Sequence, residues 1–366
     1  MHEELLYLIA LSRVHGLGPV KAKSLVKHLG SAQSVFREKT KTLCAIPEIG
    51  RVTAEALRNA NIKLAEKEVE YILKEGIRVA SWSDTHYPER LRQCDDSPLL
   101  LYARGNFEWN PTKAISIVGT RKADQYGKHF CHTFLEVLSD FKPTIISGLA
   151  HGIDAAAHSA AVEFRLPTVG CVAHGLDRIY PPIHKTLASR MEMNGGIITE
   201  FPSGTVIAPE MFPMRNRIIA GLSDCTIVVQ TDVKGGSMIT AHIAQSYGRD
   251  VFAVPGRIGD QFSKGCHKLI KNNIAAILTG ADDLIHYLHW DQPAVAKQIE
   301  LDFSNHHDPH AVVLLNAIQQ NPNCSFDDLL VGTELSWGLL NAALLQLEFE
   351  GLIVGLPGKC YRLKHS

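Results

Sequence analysis

The sequence predicts a multidomain α/β protein: a Rossmann-like, doubly wound, mostly parallel sheet, preceded by a helical domain and followed by a winged helix. Three observations carry that prediction. The middle of the chain alternates short β-branched apolar runs with helical stretches, the first 60 residues repeat a glycine turn that opens a helix, and the C-terminal segment sets three helical stretches before a hairpin. At 366 residues the chain is long enough for several modules, each able to bury its own core.

Residues 1–60 are expected to form a helix-hairpin-helix-like domain. "GLGPVKAKSLVKHLG", from Gly16, and "PEIGRVTAEALRNA", from Pro47, each run from a short turn into a helix, with Ala22 or Ala54 six residues after the first turn position. Such a turn can bring the backbone N–H groups of a helix N-terminus against a phosphate. The second copy has Glu48 where the first has Gly16. Phosphate contact and a purely structural tight turn both stay open here.

Residues 61–290 are expected to hold the Rossmann-like domain. The stretch from Lys63 to Asp84 reads as a helix and then a strand, and further strands are expected at 114–119, 143–148, 167–173, 196–200, 225–230 and 250–256. Continuous apolar strands separated by helices imply a parallel sheet covered on both faces. Residues 291–309 lose periodicity and read as a linker. Residues 310–366 have the layout of a winged helix whose hairpin turns at Pro357 and Gly358. Its expected recognition helix, 335–350, has two glutamates and no Lys or Arg. That composition favours a protein-contact or regulatory role over phosphate reading.

A formal net charge of −1 excludes a globally basic nucleic-acid coat and confines any anion site to a local patch. The eight cysteines are scattered, without a C-x-x-C pair or zinc spacing, and read as reduced core thiols with no metal site. The N-terminus is acidic where a leader would be basic, and no apolar run approaches a membrane span. The expectation is a cytoplasmic protein with no membrane partner.

Polar and glycine-rich stretches follow the C-terminal ends of the expected strands, the edge at which open α/β sheets bind ligands. "GTRKADQYG" supplies Gly119 and Arg121; "SGLAHGIDAAAH" supplies Ser147, Gly148 and Gly152; "KGGSMITAHIA" supplies Gly235, Gly236 and Ser237. The first turn lacks the G-x-G-x-x-G of a dinucleotide site, so neither a nicotinamide nor a flavin is expected, and no cofactor is assigned. Asp154 and His158, at i and i+4, could act as an acid/base pair or as metal ligands. No third ligand or nucleophile accompanies them, and a structural role is favoured. Glu200 is expected to pair with an arginine.

"FPMRNRIIAGLSD", 212–224, is the most pointed stretch. With a helix starting near Met214, Ile218, Ile219 and Leu222 enter the core and Arg215 and Arg217 fall in the first turn. The helix dipole disfavours cations there, which implies a compensating anion. Phe212 offers a face on which a base could stack, a contact worth about 1–3 kcal/mol. Salt bridges to Glu200, Asp224 or Glu210, with Phe212 in the core, fit the residues equally well.

The ordered set "YPERL", "SIVGTRKADQYG", "ISGLAHGIDAAAH", "HGLDRIYPP", "TEFPSG", "FPMRNRIIAGLSD", "GGSMITA" and "GRDVFAVPG" resembles the DNA-processing protein A (DprA/Smf) family. The resemblance implies a non-enzymatic, homodimeric, single-stranded DNA-binding protein that helps load a RecA-type recombinase in natural transformation. It also implies that Arg121, Phe212, Arg215, Asn216 and Arg217 line a basic pocket, with backbone N–H groups from the turns at 147–148 and 235–237. Where the family commonly has Gly-x-Asn, this chain has Gly265, Cys266 and His267, while Lys264, Lys268 and Lys271 keep the segment basic. A nucleotide-processing hydrolase similar to the phosphoribohydrolases is the alternative. His242 stands here where their motif carries a glutamate. A scaffold working through its winged helix is a third reading.

Overall fold

The computed structural model describes residues 2–291, 308–321, 324–333, 335–356 and 359–364. Two compact units result, Met1–Leu288 and His289–Ser366.

The first unit opens with α1 (His2–Ser12), α2 (Pro19–Leu29), α3 (Ala32–Arg37), α4 (Thr40–Leu43), α5 (Arg51–Arg58) and α6 (Ile62–Glu75). Helices α1 and α2 form one hairpin, α4 and α5 the other. Gly16 turns the first with φ +75°, and Glu48 holds the same left-handed conformation at +67°, although it carries a side chain. Ala22 and Ala54 are buried, small enough for the paired helices to close. Helix α6, beyond the boundary expected at residue 60, packs on α1. The helical core, with Ile9, Leu25, Val35 and Ile72, runs on without a break into Tyr102, Met191 and Ile197 of the sheet domain.

The sheet contains β1 (Arg78–Ser81), β2 (Leu100–Gly105), β3 (Ala114–Val118), β4 (Thr144–Ser147), β5 (Thr168–Cys171), β6 (Gly195–Thr199), β7 (Cys225–Val228), β8 (Asp250–Ala253) and β9 (Ala276–Ile277), in the order β1-β2-β6-β5-β4-β3-β7-β8-β9. Neighbours from β6 to β9 are parallel, whereas β1 with β2 and β2 with β6 are antiparallel. Each expected central strand falls on an observed one; β2 and β9 were not expected.

A short α7 (Glu89–Arg92) precedes β2, and α8 (Gln125–Leu138), α9 (Ile153–Glu163), α10 (Lys185–Met191), α11 (Met211–Gly221), α12 (Gly236–Ser246), α13 (Lys264–Lys271) and α14 (Ala281–Tyr287) follow in turn. Chain order reverses between β3 and β7. Right-handed crossovers therefore place α8, α9 and α10 on one face and α11, α12 and α13 on the other, and α8 packs on α9 while α11 packs on α12. A crevice opens above such a reversal.

Helix α11 begins at Met211, three residues before the expected start. Pro213 permits this because a first-turn N–H has no intrahelical partner to lose. Arg215 and Arg217 therefore sit in the second turn, which corrects the expected clash with the helix dipole. Ile218 and Ile219 are fully buried, each contributing roughly 1.5–3 kcal/mol.

The second unit is a winged helix of α15 (Pro309–Gln320), β10 (Cys324–Ser325), α16 (Phe326–Thr333), α17 (Trp337–Phe349), β11 (Ile353–Leu356) and β12 (Cys360–Leu363), around Leu314, Leu315, Leu340, Leu344 and Leu347. The expected recognition helix is α17. Within the expected linker, residues 292–307 lie outside the described residues, as does the turn at Pro357 and Gly358. Among the described residues no helix is long and apolar enough to cross a membrane.

Candidate functional site

Loops leaving the C-terminal ends of β3, β4 and β5 meet the start of α11 around a pocket of about 60 Å³, lined by Arg121, Leu149, His151, His174, Tyr180, Phe212 and Arg215, among others. Each is positioned locally. At the end of β3, Gly119 leaves no room for a side chain against Ile153. The Thr120 N–H donates to the Gln230 carbonyl at 2.7 Å, and the Ile153 N–H donates to the Thr120 carbonyl at 3.1 Å. So clamped, the loop carries exposed Arg121 outward, its guanidinium carbon 5.2 Å from the Phe212 ring centroid.

Tyr180 completes the aromatic wall, 6.4 Å from Phe212 between centroids. Its loop is pinned by buried His174, whose Nδ1 lies 2.8 Å from the Gly175 carbonyl and whose Nε2 accepts the Tyr180 N–H at 3.2 Å. That tautomer is neutral, and burial holds the pKa of His174 below the usual histidine range.

Arg215 forms the floor. It is buried, and its Nη1 donates to the Cys171 carbonyl at 2.9 Å. The Asp154 carboxylate reaches the same spot, since a methyl group on Gly148 would overlap both Arg215 Nη1 and Asp154 Oδ2. Burial pushes the Asp154 carboxyl up and the guanidinium down, and each partner's charge opposes the other's shift. A guanidinium keeps its proton in proteins, so Arg215 holds a fixed positive charge beneath the aromatic wall.

Arg217 points elsewhere. It is paired with Glu200 and donates to the Asp96 carbonyl, so of the salt bridges considered from the residues the one to Glu200 forms. Asp224 instead pairs with Arg90 at 2.6 Å, and Glu210 directly precedes the helix. Asn216 is half-buried between the two arginines.

Not every expected residue meets in this pocket. Ser147 is fully buried, its hydroxyl given to the Ile117 carbonyl. Gly235, Gly236 and Ser237 lie along the same sheet edge past β7 and do not line the pocket. Their turn is built around Thr231, which accepts from the Ser237 hydroxyl at 2.7 Å and from the Gly265 N–H at 2.9 Å. Lys264 is exposed at the start of α13. Of the departing triplet, Gly265 and Cys266 are buried and His267 Nε2 lies 2.9 Å from the Gly256 carbonyl.

Asp154 and His158 do not act as a pair. The Thr168 hydroxyl donates to the Ile145 carbonyl at 3.0 Å, so His158 Nδ1–H must donate to Thr168 at 2.7 Å. Burial pushes the pKa of His158 down to about 3. It is a neutral pin between α9 and β5. Glu200 does not line the pocket, and neither does exposed His242, which stands where the phosphoribohydrolase motif carries its glutamate. Sequence reasoning missed Tyr180, His174 and the placing of Arg215 beside Asp154. The "HGLDRIYPP" motif held the first two but gave no sign of which element they face.

Residues 78–289 match the family described as DNA recombination-mediator protein A, 8–60 a SAM-like helix-hairpin-helix tandem, and 304–359 the DprA winged helix domain. Protein Smf of Synechocystis sp. is 30% identical, with 99% of each chain covered. The X-ray structure of DNA processing protein A from Streptococcus pneumoniae superposes with a TM-score of 0.66 at 29% identity, covering 77% of this chain and 97% of that one. DNA processing protein A from Helicobacter pylori, whose structure describes a single-stranded DNA binding mode, gives 0.52 at 28% identity, with coverage of 59% and 96%.

Proposed function

The chain belongs to the DNA recombination-mediator protein A family, and on that premise we propose that it is a recombination mediator that binds single-stranded DNA in the Arg121–Phe212–Arg215 pocket without covalent chemistry. The observation that carries this reading is the exposed Arg121 guanidinium held over the Phe212 ring, with Arg215 buried behind it. A cation at the rim suits a phosphate, and a ring beside it suits an unpaired base. The Helicobacter pylori relative is described as binding single-stranded DNA, which supports carrying that ligand to this chain.

Within this reading, Gly119 and Gly148 serve by letting Ile153 and Arg215 close in behind the site, and Asn216 and the turns at 235–237 extend the contact along the sheet edge with Lys264. Arg217 contributes by holding α11 in place. The protein works in the cytoplasm as a homodimer and passes its DNA to a RecA-type recombinase during natural transformation.

Competition between an oligothymidine and a duplex of equal length, read by fluorescence anisotropy at low salt, tests the reading. A clear preference for the single strand is expected, weakening linearly on a log scale with added salt. Equal affinity for the duplex would overturn it.

A further inference from the structure

A second cationic groove lies on the same sheet edge. Helix α2 lines it with Val20, Lys23, Ser24 and Lys27, residues three and four apart and therefore on one face. Opposite stand Trp82 and Arg92, across an open groove of about 780 Å³. The Lys27 ammonium is 5.5 Å from the Trp82 ring centroid. Lys23 latches the two walls, donating to the Asp95 carbonyl at 2.7 Å and to the Ser97 hydroxyl at 2.9 Å. Three cations thus line the groove, with the Asp95 carboxylate among them and that of Asp96 close to Lys23, whose pKa burial holds below the usual lysine range. Glu4, at the neighbouring rim, is committed to the N-terminus of α3, where it accepts from the Ala32 N–H at 2.6 Å.

Topology joins this groove to the pocket. Strand β1 is antiparallel to β2, and β2 to β6, so β1 points the same way as the parallel strands. Trp82 follows the C-terminal end of β1 and shares an edge with the loops that carry Arg121 and Tyr180. Three strand spacings separate β1 from β5, about 14 Å. Successive carbonyls bridge the interval: that of Asp95 accepts from Lys23, and that of Asp96 from Arg217, whose helix carries Phe212 and Arg215.

We propose that the groove is a second contact for the same single-stranded DNA, with Lys27, Arg92 and Lys23 facing phosphates and Trp82 facing a base. The bound strand then runs along the sheet edge from pocket to groove. This inference rests on the pocket reading given above. A ring set among cations suits alternating base and phosphate, whereas an acidic peptide would use the cations and leave the ring idle.

The test uses the full-length protein, with oligothymidines of about 6 and about 20 nucleotides to distinguish one contact from an extended track. Lys27 and Arg92 are exposed, but Arg92 also donates to the Asp84 and Tyr87 carbonyls, so a thermal melt accompanies the Lys27→Ala, Arg92→Ala double variant. Lys27→Ala alone, expected to lower the salt slope by about 0.7, decides if the double variant does not fold. The double variant should bind the long strand at least ~10-fold more weakly, leave the short strand unchanged, and lower the salt slope by about 1.4 for two lost phosphate contacts. Trp82→Ala should weaken the long strand as well, and Trp82→Phe should restore it. If Trp82→Ala fails to fold, the double variant decides alone. Wild-type affinity for the long strand in the double variant, with Arg121→Ala still weakening the short one, would overturn this inference and leave the pocket reading intact. Failure of the wild-type protein to bind even the short strand would remove both. Loss of an oligoglutamate peptide from the double variant with DNA binding unmoved would assign the groove to an acidic peptide and overturn the proposal.

Discussion

Arg217 and Glu200 form an ion pair closed off from solvent, with 8% and 12% of their side chains exposed, behind the pocket whose floor is Arg215. Two residues along an α-helix are turned by about 200°, so neighbouring arginines on α11 serve opposite sides. One braces the helix against β6, and the other faces the pocket.

Removing the brace should unfold the protein more readily. Arg217→Ala leaves the Glu200 charge buried without its partner, and a loss of about 3–5 kcal/mol is expected. Urea denaturation measures it. A loss below about 1 kcal/mol would show that the pair holds little, and the Arg217→Ala, Glu200→Ala double variant should recover part of the difference.

Phe212→Ala and Arg121→Ala should act on DNA rather than on stability. Losing one stacked base costs about 1–3 kcal/mol of binding, and losing one phosphate contact lowers the single-strand salt slope by about 0.7. Anisotropy titrations across a salt series separate the two. An unchanged slope in Arg121→Ala would take its guanidinium off the DNA backbone.

Two glycines give opposite expectations. A Cβ on Gly148 meets Arg215 and Asp154, whereas one on Gly236 meets nothing within 4 Å. Gly148→Ala should therefore cost about 1–3 kcal/mol of stability through overpacking, and weaken DNA binding by displacing Arg215. Gly236→Ala, at the start of α12, should be neutral to slightly stabilising. Paired thermal melts and DNA titrations check both, and a tolerated Gly148→Ala would refute the tight placing of Arg215.

His158 sets a pH dependence. Its folded pKa, about 3, lies below the unfolded value of 6.5, so between these pH values the unfolded chain binds the extra proton. Stability from this group is complete above pH 6.5 and is lost as pH falls toward 3, by up to about 1.4 kcal/mol per pH unit. Urea melts between pH 7 and 4 should show this slope, and His158→Gln should flatten it. An equal slope in the variant would place the proton uptake elsewhere.

The central strands were legible because a sheet covered on both faces demands nearly continuous apolar runs, as in Ala114–Val118 and Cys225–Val228, where the polar members Ser116 and Thr226 are buried and hydrogen-bond each other at 2.8 Å. Strand β2 was missed: it pairs antiparallel beyond the parallel set, where no βα repeat announces it. β9 has only two residues. Arg121, Phe212 and Arg215 were grouped by the ordered set of family motifs, whereas their positions alone left salt bridges and core packing equally open. The division of labour on α11 was not, because it depends on a helix start shifted by Pro213 and on Glu200 arriving from another strand. Ser147 shows the same limit, since its position after β4 says nothing of the Ile117 carbonyl beside it.

The most direct measurement is a crystal structure of the protein with a short oligothymidine. A base against Phe212 and Tyr180, a phosphate within reach of Arg121, and Arg217 still paired with Glu200 are the expected result. An ordered strand bound away from this pocket, with Arg121 and Phe212 untouched, would contradict it.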